Sequence, residues 1–340
     1  MRRVFILILI SFTIISCSDS PKEERTIPSF YYWKTIFKLD AEEEKAIRAL
    51  GIKKIYLRLF DVDWTDRPEP KGHLILNDSI PRSLQIVPVV FVTNKTLLNI
   101  QPQALEILAD NITTSIQIFT KRNHITFTEL QIDCDWSDKT RDTYFDLLRL
   151  IKIKLPQSCI LSATIRLHQV KYRQITGVPP VDRGMLMFYN MGHLKPKANQ
   201  NSIWNKEDAE LYVGYIKKYP LDLDCALPIF GWALQIRGDK IIELLTKETL
   251  PDFATLDGFK MNDDKTVIAE KSFYHHNKYI KKGDIFRMEK LNSEDLEAAA
   301  DMLSGHLNQA HTSVTLFDLD SKNLIDHDIE QLEEIFNYFN

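Results

Sequence analysis

Glycine and cysteine are scarce in this chain: its 340 residues include 11 glycines and 4 cysteines. No Gly-rich turn follows an apolar segment, which argues against the phosphate-cradling loops of nucleotide-binding open sheets. Neither a phosphate loop nor Gly-x-Ser-x-Gly is present, and no His-x-His occupies the first apolar segment. His275-His276 stands without a second ligand cluster at helical spacing, so neither a metal nor a cofactor is expected. Cys134, Cys159 and Cys225 each lie within or beside an apolar segment, an odd set without ligand spacing, and read as buried free thiols. The apolar run from Val4 to Ile15 is too short to span a bilayer comfortably. Basic residues are not gathered with aromatics into an evident patch, and the net charge is −4, so no nucleic-acid partner is expected.

The N-terminus carries a signal. Arg2 and Arg3 precede the apolar run, and Ile14-Ile15-Ser16-Cys17 resembles a bacterial lipobox, in which the cysteine is lipidated and becomes the new N-terminus. Residues 1–17 are therefore expected to be a lipoprotein signal with Cys17 as the lipidated residue. This implies a cell-envelope location and a membrane contact made through the lipid. Residues 18–28 read as a flexible tether. Its Lys22-Glu23-Glu24 run resembles surface-export tags of some bacterial lipoproteins. Losing Arg2 and Arg3 takes the mature chain to about −6.

From 29 to 340 apolar strands alternate with amphipathic helices. Strands are expected at 29–37, 54–60, 83–93, 129–135, 159–167, 184–190, 224–232 and 311–317. Helices are expected at 40–50, 102–121, 140–154, 205–219, 293–307 and 326–339, with Asp40 and Ser293 as N-caps. Eight such strands predict an α/β fold of the (β/α)8 barrel type. Residues 233–292 read as short strands and hairpins, a β-rich subdomain inserted between strand 7 and its helix. Loops that follow barrel strands open on the face where such barrels place their sites.

The fourth strand carries the chemistry. In Gln131-Ile132-Asp133-Cys134-Asp135-Trp136, alternation puts Gln131, Asp133 and Asp135 on one face and Ile132 and Cys134 on the other. Two carboxylates close together repel, so one keeps its proton near neutral pH; a proton donor beside a carboxylate is what glycosidic cleavage requires. By the same parity the mouth gathers Trp33, Arg58, Arg166, Tyr189 and Trp232, with aromatic rings, Trp136 among them, available to stack on sugars. Arg58 and Arg166 are also able to pair with Asp133 and neutralise it structurally. Asp61 and Asp63 read as loop caps rather than as site carboxylates.

Three placed features resemble the chitinase-type glycosidases of family 18: the acidic fourth strand, Met187-Phe188-Tyr189-Asn190 on the sixth, and the insertion after the seventh. The chain also resembles uncharacterised bacterial lipoproteins with glycoside-hydrolase-like barrels. The chitinase resemblance implies a (β/α)8 barrel acting on a polysaccharide or oligosaccharide, with Asp133, Asp135 and Tyr189 catalytic and Trp33, Arg58, Arg166, Asn190 and Trp232 at the substrate. The sequence departs from the family's Asp-x-x-Asp-x-Asp-x-Glu. Either Ser137 stands at the glutamate position, or Asp135 does so with a shorter arm and Gln131 replaces an aspartate. The family's Ser-x-Gly-Gly has no counterpart in Val89-Val90-Phe91-Val92. Two readings follow: a carboxylate glycosidase with Asp135 as acid and Asp133 as its electrostatic partner, or a glycan-binding lipoprotein or envelope scaffold without catalysis.

Overall fold

The computed structural model describes residues 26–197, 201–247, 249–253, 255–275, 278–307 and 312–340. The lipobox, Cys17 and most of the expected tether lie outside them. Thr26, Ile27 and Pro28, read as the end of the tether, are the first residues of a strand.

Eight strands form the barrel: β1 (Thr26–Tyr32), β2 (Lys54–Trp64), β3 (Gln85–Val92), β4 (Glu129–Asp133), β5 (Ile160–Arg166), β6 (Arg183–Met187), β7 (Leu223–Pro228) and β8 (Thr312–Phe317). Each pairs in parallel with its sequence neighbour, and β1 pairs with both β8 and β2, which closes the sheet on itself. Closure explains the near-continuous apolar runs, since one strand face packs under the helices and the other fills the interior. Helix Ala41–Ala49 starts on Asp40, whose carboxylate accepts from the Glu42 and Glu43 amides. In helix Ser293–Ser304 the cap is Asn292 rather than Ser293, its side chain accepting from Asp295 N–H.

The interior is layered. At the N-terminal end Lys54 Nζ reaches Ser313 Oγ at 2.9 Å and Glu129 at 3.4 Å, and Ser162 donates to Glu129 at 2.7 Å. Beside them Asp224 accepts from Ser313 N–H at 2.7 Å and from Arg183 at 3.1 Å. Burial pushes the Asp224 carboxyl up to about 6 against the opposing pull of Arg183. In the next layer Tyr31 donates to Gln131 at 2.5 Å. The carboxyl end, the barrel mouth, carries the remaining inward side chains.

On the outer surface of the barrel wall, β6 passes close under its neighbours at Gly184. A Cβ there would lie 2.4 Å from Ile165 Cδ1 and 2.7 Å from Leu223 Cδ2, both in the packed core. Gly184→Ala is expected to cost about 1–3 kcal/mol by overpacking, read as a lower denaturant midpoint at unchanged slope; an unchanged midpoint would show that the core relaxes freely there.

β7 ends at Pro228, not at Trp232 as the sequence suggested. Trp232 belongs to a new strand, Gly231–Arg237, the second in a five-stranded antiparallel sheet ordered 240–245, 231–237, 285–290, 266–269, 259–261. This sheet has its own core of Ala233, Leu245, Val267, Ala269, Ile280 and Phe286. The inserted subdomain thus begins two residues before the expected boundary. Cys134, Cys159 and Cys225 are buried free thiols, as read from the sequence. Among the described residues no helix is long and apolar enough to cross a membrane, and no three His, Cys, Asp or Glu side chains are grouped to hold a metal.

Candidate functional site

Backbone register decides what reaches the mouth. β2 and β3 run in step up to Arg58↔Val89, after which the pairing resumes at Phe60↔Val90, leaving Leu59 as an extra residue. A bulge of this kind flips the alternation beyond it. Asp61 therefore joins Phe91 and Asp133 at one level, where simple parity would have put Phe60 inward. Arg58 closes on it with two hydrogen bonds, Nε to Oδ1 at 2.7 Å and Nη2 to Oδ2 at 2.5 Å. Arg58 is thus paired with Asp61 and not with Asp133, and Asp61 is a strand residue of the site rather than a loop cap.

The β4 carboxylates are in different situations. Asp133 is 8 % exposed and accepts from Thr164 Oγ1, on β5, at 2.5 Å. Burial pushes its carboxyl up to about 7, the Asp135 charge adds to the rise, and the Thr164 hydrogen bond and the Arg166 charge only partly oppose it. Asp135 lies two residues further along, beyond the end of β4, half-exposed, with its Oδ1 in direct contact with Arg166 Nε. For Arg166, burial disfavours the charge, but the Asp135 partner outweighs it and holds the guanidinium charged. Asp133 is therefore the carboxyl that its surroundings push towards the protonated form, whereas the sequence reading put the acid at Asp135. Ser137 is turned away: its N–H and hydroxyl engage Thr140, which donates to Asn94 at 2.6 Å. Asp135, two residues past the end of β4, is the outer of the two carboxylates.

Rings line the rest. Tyr31 and Trp33 meet edge to face at 5.8 Å, and Phe317 stands 5.5 Å from Trp33, 5.3 Å from Tyr31 and 5.6 Å from Tyr189. Phe230 continues the chain, 5.5 Å from Tyr189 and 5.5 Å from Trp232. The Arg58 guanidinium lies 5.6 Å over the Trp33 ring. Tyr189 is buried, its hydroxyl donating to Met187 Sδ at 3.3 Å, and burial pushes its ionisation well above the usual range. Phe230 and Phe317 were not singled out from sequence, although inward parity along Ser313, Thr315 and Phe317 carries the signal for the second.

Two expected ligand residues belong elsewhere. Asn190 has φ +55°, is exposed, and donates its backbone N–H to Ile203 O at 2.6 Å, serving the turn out of β6. Trp136 is 1 % exposed, stacked 5.3 Å from Tyr144 and donating to Thr176 O at 2.9 Å, so it is core. Trp232 stays at the rim, partly exposed, its indole N–H held by Glu289 at 3.0 Å. The mouth therefore combines Trp33, Arg58, Asp61, Asp133, Asp135, Arg166 and Tyr189 with a wall of rings. Both arginines are already committed to Asp61 and Asp135, and Asp133, which lacks an arginine partner, is the carboxyl that burial pushes up.

No family model matches this sequence, and no curated protein matches it. Solved structures share its fold. The spore cortex-lytic enzyme SleL of Bacillus cereus is 13 % identical, with a TM-score of 0.53 over 93 % of this chain and 74 % of that one. A chitinase from Bacteroides thetaiotaomicron is 12 % identical, with a TM-score of 0.53 over 91 % of this chain and 96 % of that one. A chitinase from Chromobacterium violaceum is 11 % identical, with a TM-score of 0.51 over 92 % and 98 %. The chain shares the (β/α)8 barrel fold of these structures, closed by eight parallel strands and carrying an antiparallel insertion.

Proposed function

We propose that the barrel mouth binds a polysaccharide or oligosaccharide, in a protein anchored to the bacterial cell envelope through lipid on Cys17. The observation that carries the binding reading is the Arg166–Asp135 ion pair. A carboxylate oriented by a guanidinium is a fixed hydrogen-bond acceptor for sugar hydroxyls. The adjoining rings of Trp33, Phe230 and Trp232 offer the apolar wall on which pyranose faces pack. The likeness of fold to chitinases supports a carbohydrate ligand. The anchor is supported by the lipobox-like Ile14–Cys17 sequence.

Hydrolysis is the second reading, and one observation favours it: burial pushes the Asp133 carboxyl up to about 7 beside the Arg166-paired Asp135, and carboxylates held in unlike surroundings are what paired-carboxylate chemistry uses. Titration calorimetry and a reducing-end assay over a panel of soluble bacterial and host glycans separate the two. Binding without release, weakened about tenfold by Trp33→Ala, is the result expected. Release of reducing ends that falls by on the order of 10²–10⁴ in Asp133→Asn would make the protein a hydrolase. Neither binding nor release on any glycan would remove both readings. For the anchor, Cys17→Ala is expected to move the protein from the membrane to the soluble fraction and abolish palmitate labelling; unchanged partition would refute lipidation at that residue.

A further inference from the structure

The inserted subdomain carries an outward surface of its own. Strands Phe273–His275 and Lys278–Ile280 pair antiparallel with Tyr274 opposite Tyr279. Phe273 and Ile280 point into the small core, so alternation drives both tyrosines to the outside. They are 74 % and 44 % exposed, with ring centroids 5.2 Å apart and planes tilted by 49°. Two adjoining, solvent-facing rings need an occupant more than an isolated exposed residue does.

The platform is rigidly mounted. Arg237 is bidentate to the fully buried Asp284 at 2.7 and 2.8 Å, donates to Tyr279 O at 3.3 Å, and lies 5.7 Å from the Tyr279 ring. Gln235 also donates to Asp284, at 2.7 Å, as does the Lys281 N–H, at 2.8 Å. The strand ends are thereby fixed to the main insertion sheet, so a ligand stacking there has little ordering to impose.

The segment that bears the rings is basic in sequence. Residues 271–282 contain Lys271, Lys278, Lys281 and Lys282 and no acid, within a chain of net charge −4. This is a local basic and aromatic stretch of the kind that the sequence reading did not pick out. Lys271 and Lys278 are neutralised by Asp257 and Glu243. Lys281 and Lys282 are exposed and make no ion pair among the described residues.

We propose that Tyr274 and Tyr279, flanked by Lys281 and Lys282, form a second carbohydrate site outside the barrel that takes an acidic, uronate-bearing polysaccharide. Sugar C–H faces pack on the tyrosine rings while carboxylates along the chain meet the two ammonium groups. The choice of a polysaccharide over another polyanion rests on the glycan reading of the mouth; the stacking platform itself does not. Two free cations are few for a nucleic acid, whose binding is carried by many phosphate contacts.

The test is native affinity electrophoresis of the full chain in gels containing polygalacturonate, with single-stranded DNA and neutral chitin oligosaccharides as parallel probes. Wild type and Trp33→Ala are expected to be retarded equally by polygalacturonate. Tyr274→Ser/Tyr279→Ser is expected to lose about tenfold in affinity, Lys281→Gln/Lys282→Gln to lose the salt dependence, and Tyr274→Phe to keep binding. Equal retardation of the tyrosine double variant, or none of wild type, overturns the proposal, and stronger retardation by DNA than by polygalacturonate assigns the surface to nucleic acid instead. Loss of polygalacturonate binding in the tyrosine double variant supports the platform even where chitin oligosaccharides are not bound, because the mouth reading is tested separately by the wider glycan panel.

Discussion

Asp133→Asn is expected to leave stability nearly unchanged at pH 4 and to raise it at pH 8. The Asp133 carboxyl titrates at about 7 in the folded chain against an ordinary value of 3.8. Between those two values the native state holds a proton that the unfolded state has released, so unfolding free energy falls as pH rises. The contribution is fully present below pH 4 and is lost by the time pH passes about 7. Three pH units of difference correspond to about 4 kcal/mol. Asn carries no ionisable proton and keeps an oxygen to accept from Thr164, so it escapes this loss. Asp224, raised to about 6, has the same sign and stays in both proteins, so wild type falls further than the variant and neither is flat. Urea unfolding at pH 4, 6 and 8 decides the matter. A variant that is more stable by the same amount at every pH would show that Asp133 is ionised in the fold, and the assignment of the proton would pass back to Asp135.

That assignment marks where the sequence stopped being informative. Two carboxylates two residues apart, Asp133 ending β4 and Asp135 beyond it, were visible, as was the rule that one of two close carboxylates keeps its proton. Which one depends on burial and on the neighbour across the strand, Thr164 for Asp133 and Arg166 for Asp135, and neither is encoded locally. The eight barrel strands were legible because buried parallel strands are continuous apolar runs separated by amphipathic helices. The seventh strand was overextended because Ala226 to Leu234 is apolar almost throughout, which hides the crossing from the barrel into the insertion sheet at Gly231. Asp61 was read as a loop residue because a bulge leaves no composition signature; only pairing with β3 exposes the extra residue at Leu59. Trp136 shows the converse error: an aromatic following acids looks like a ligand platform, but the strand has ended by then and the chain turns the ring under helix Arg141–Lys154.

Glu289→Ala is expected to be the most destabilising single change outside the barrel. Its carboxylate, 4 % exposed, gathers donors from three segments. It accepts the Ser202 N–H at 3.0 Å and the Ser202 hydroxyl, the Trp232 indole N–H at 3.0 Å, and Arg287 Nε and Nη2 at 3.1 and 2.8 Å. Arg287 in turn donates to the carbonyls of Lys195 and Pro196, and Asn201 donates to Lys290 O at 2.9 Å. The segment leaving β6 is thereby fastened to the insertion sheet through one buried anion. Removing it takes a carboxylate partner from the Arg287 guanidinium and from the Ser202 and Trp232 N–H groups around a buried anion, at a cost of about 3 kcal/mol. Glu289→Gln preserves the shape and one acceptor oxygen and is expected to lose less, about 1–3 kcal/mol. Because the same carboxylate orients Trp232 at the rim, the Ala variant is also expected to weaken glycan binding, whereas Lys290→Ala, which alters only an exposed ion pair with Asp326, leaves both properties near wild type. Denaturant unfolding and limited proteolysis between 191 and 205 read the two effects separately. An Ala variant within about 1 kcal/mol of wild type, with that segment still resistant, would mean that apolar packing of the insertion sheet, and not Glu289, holds the rim in place.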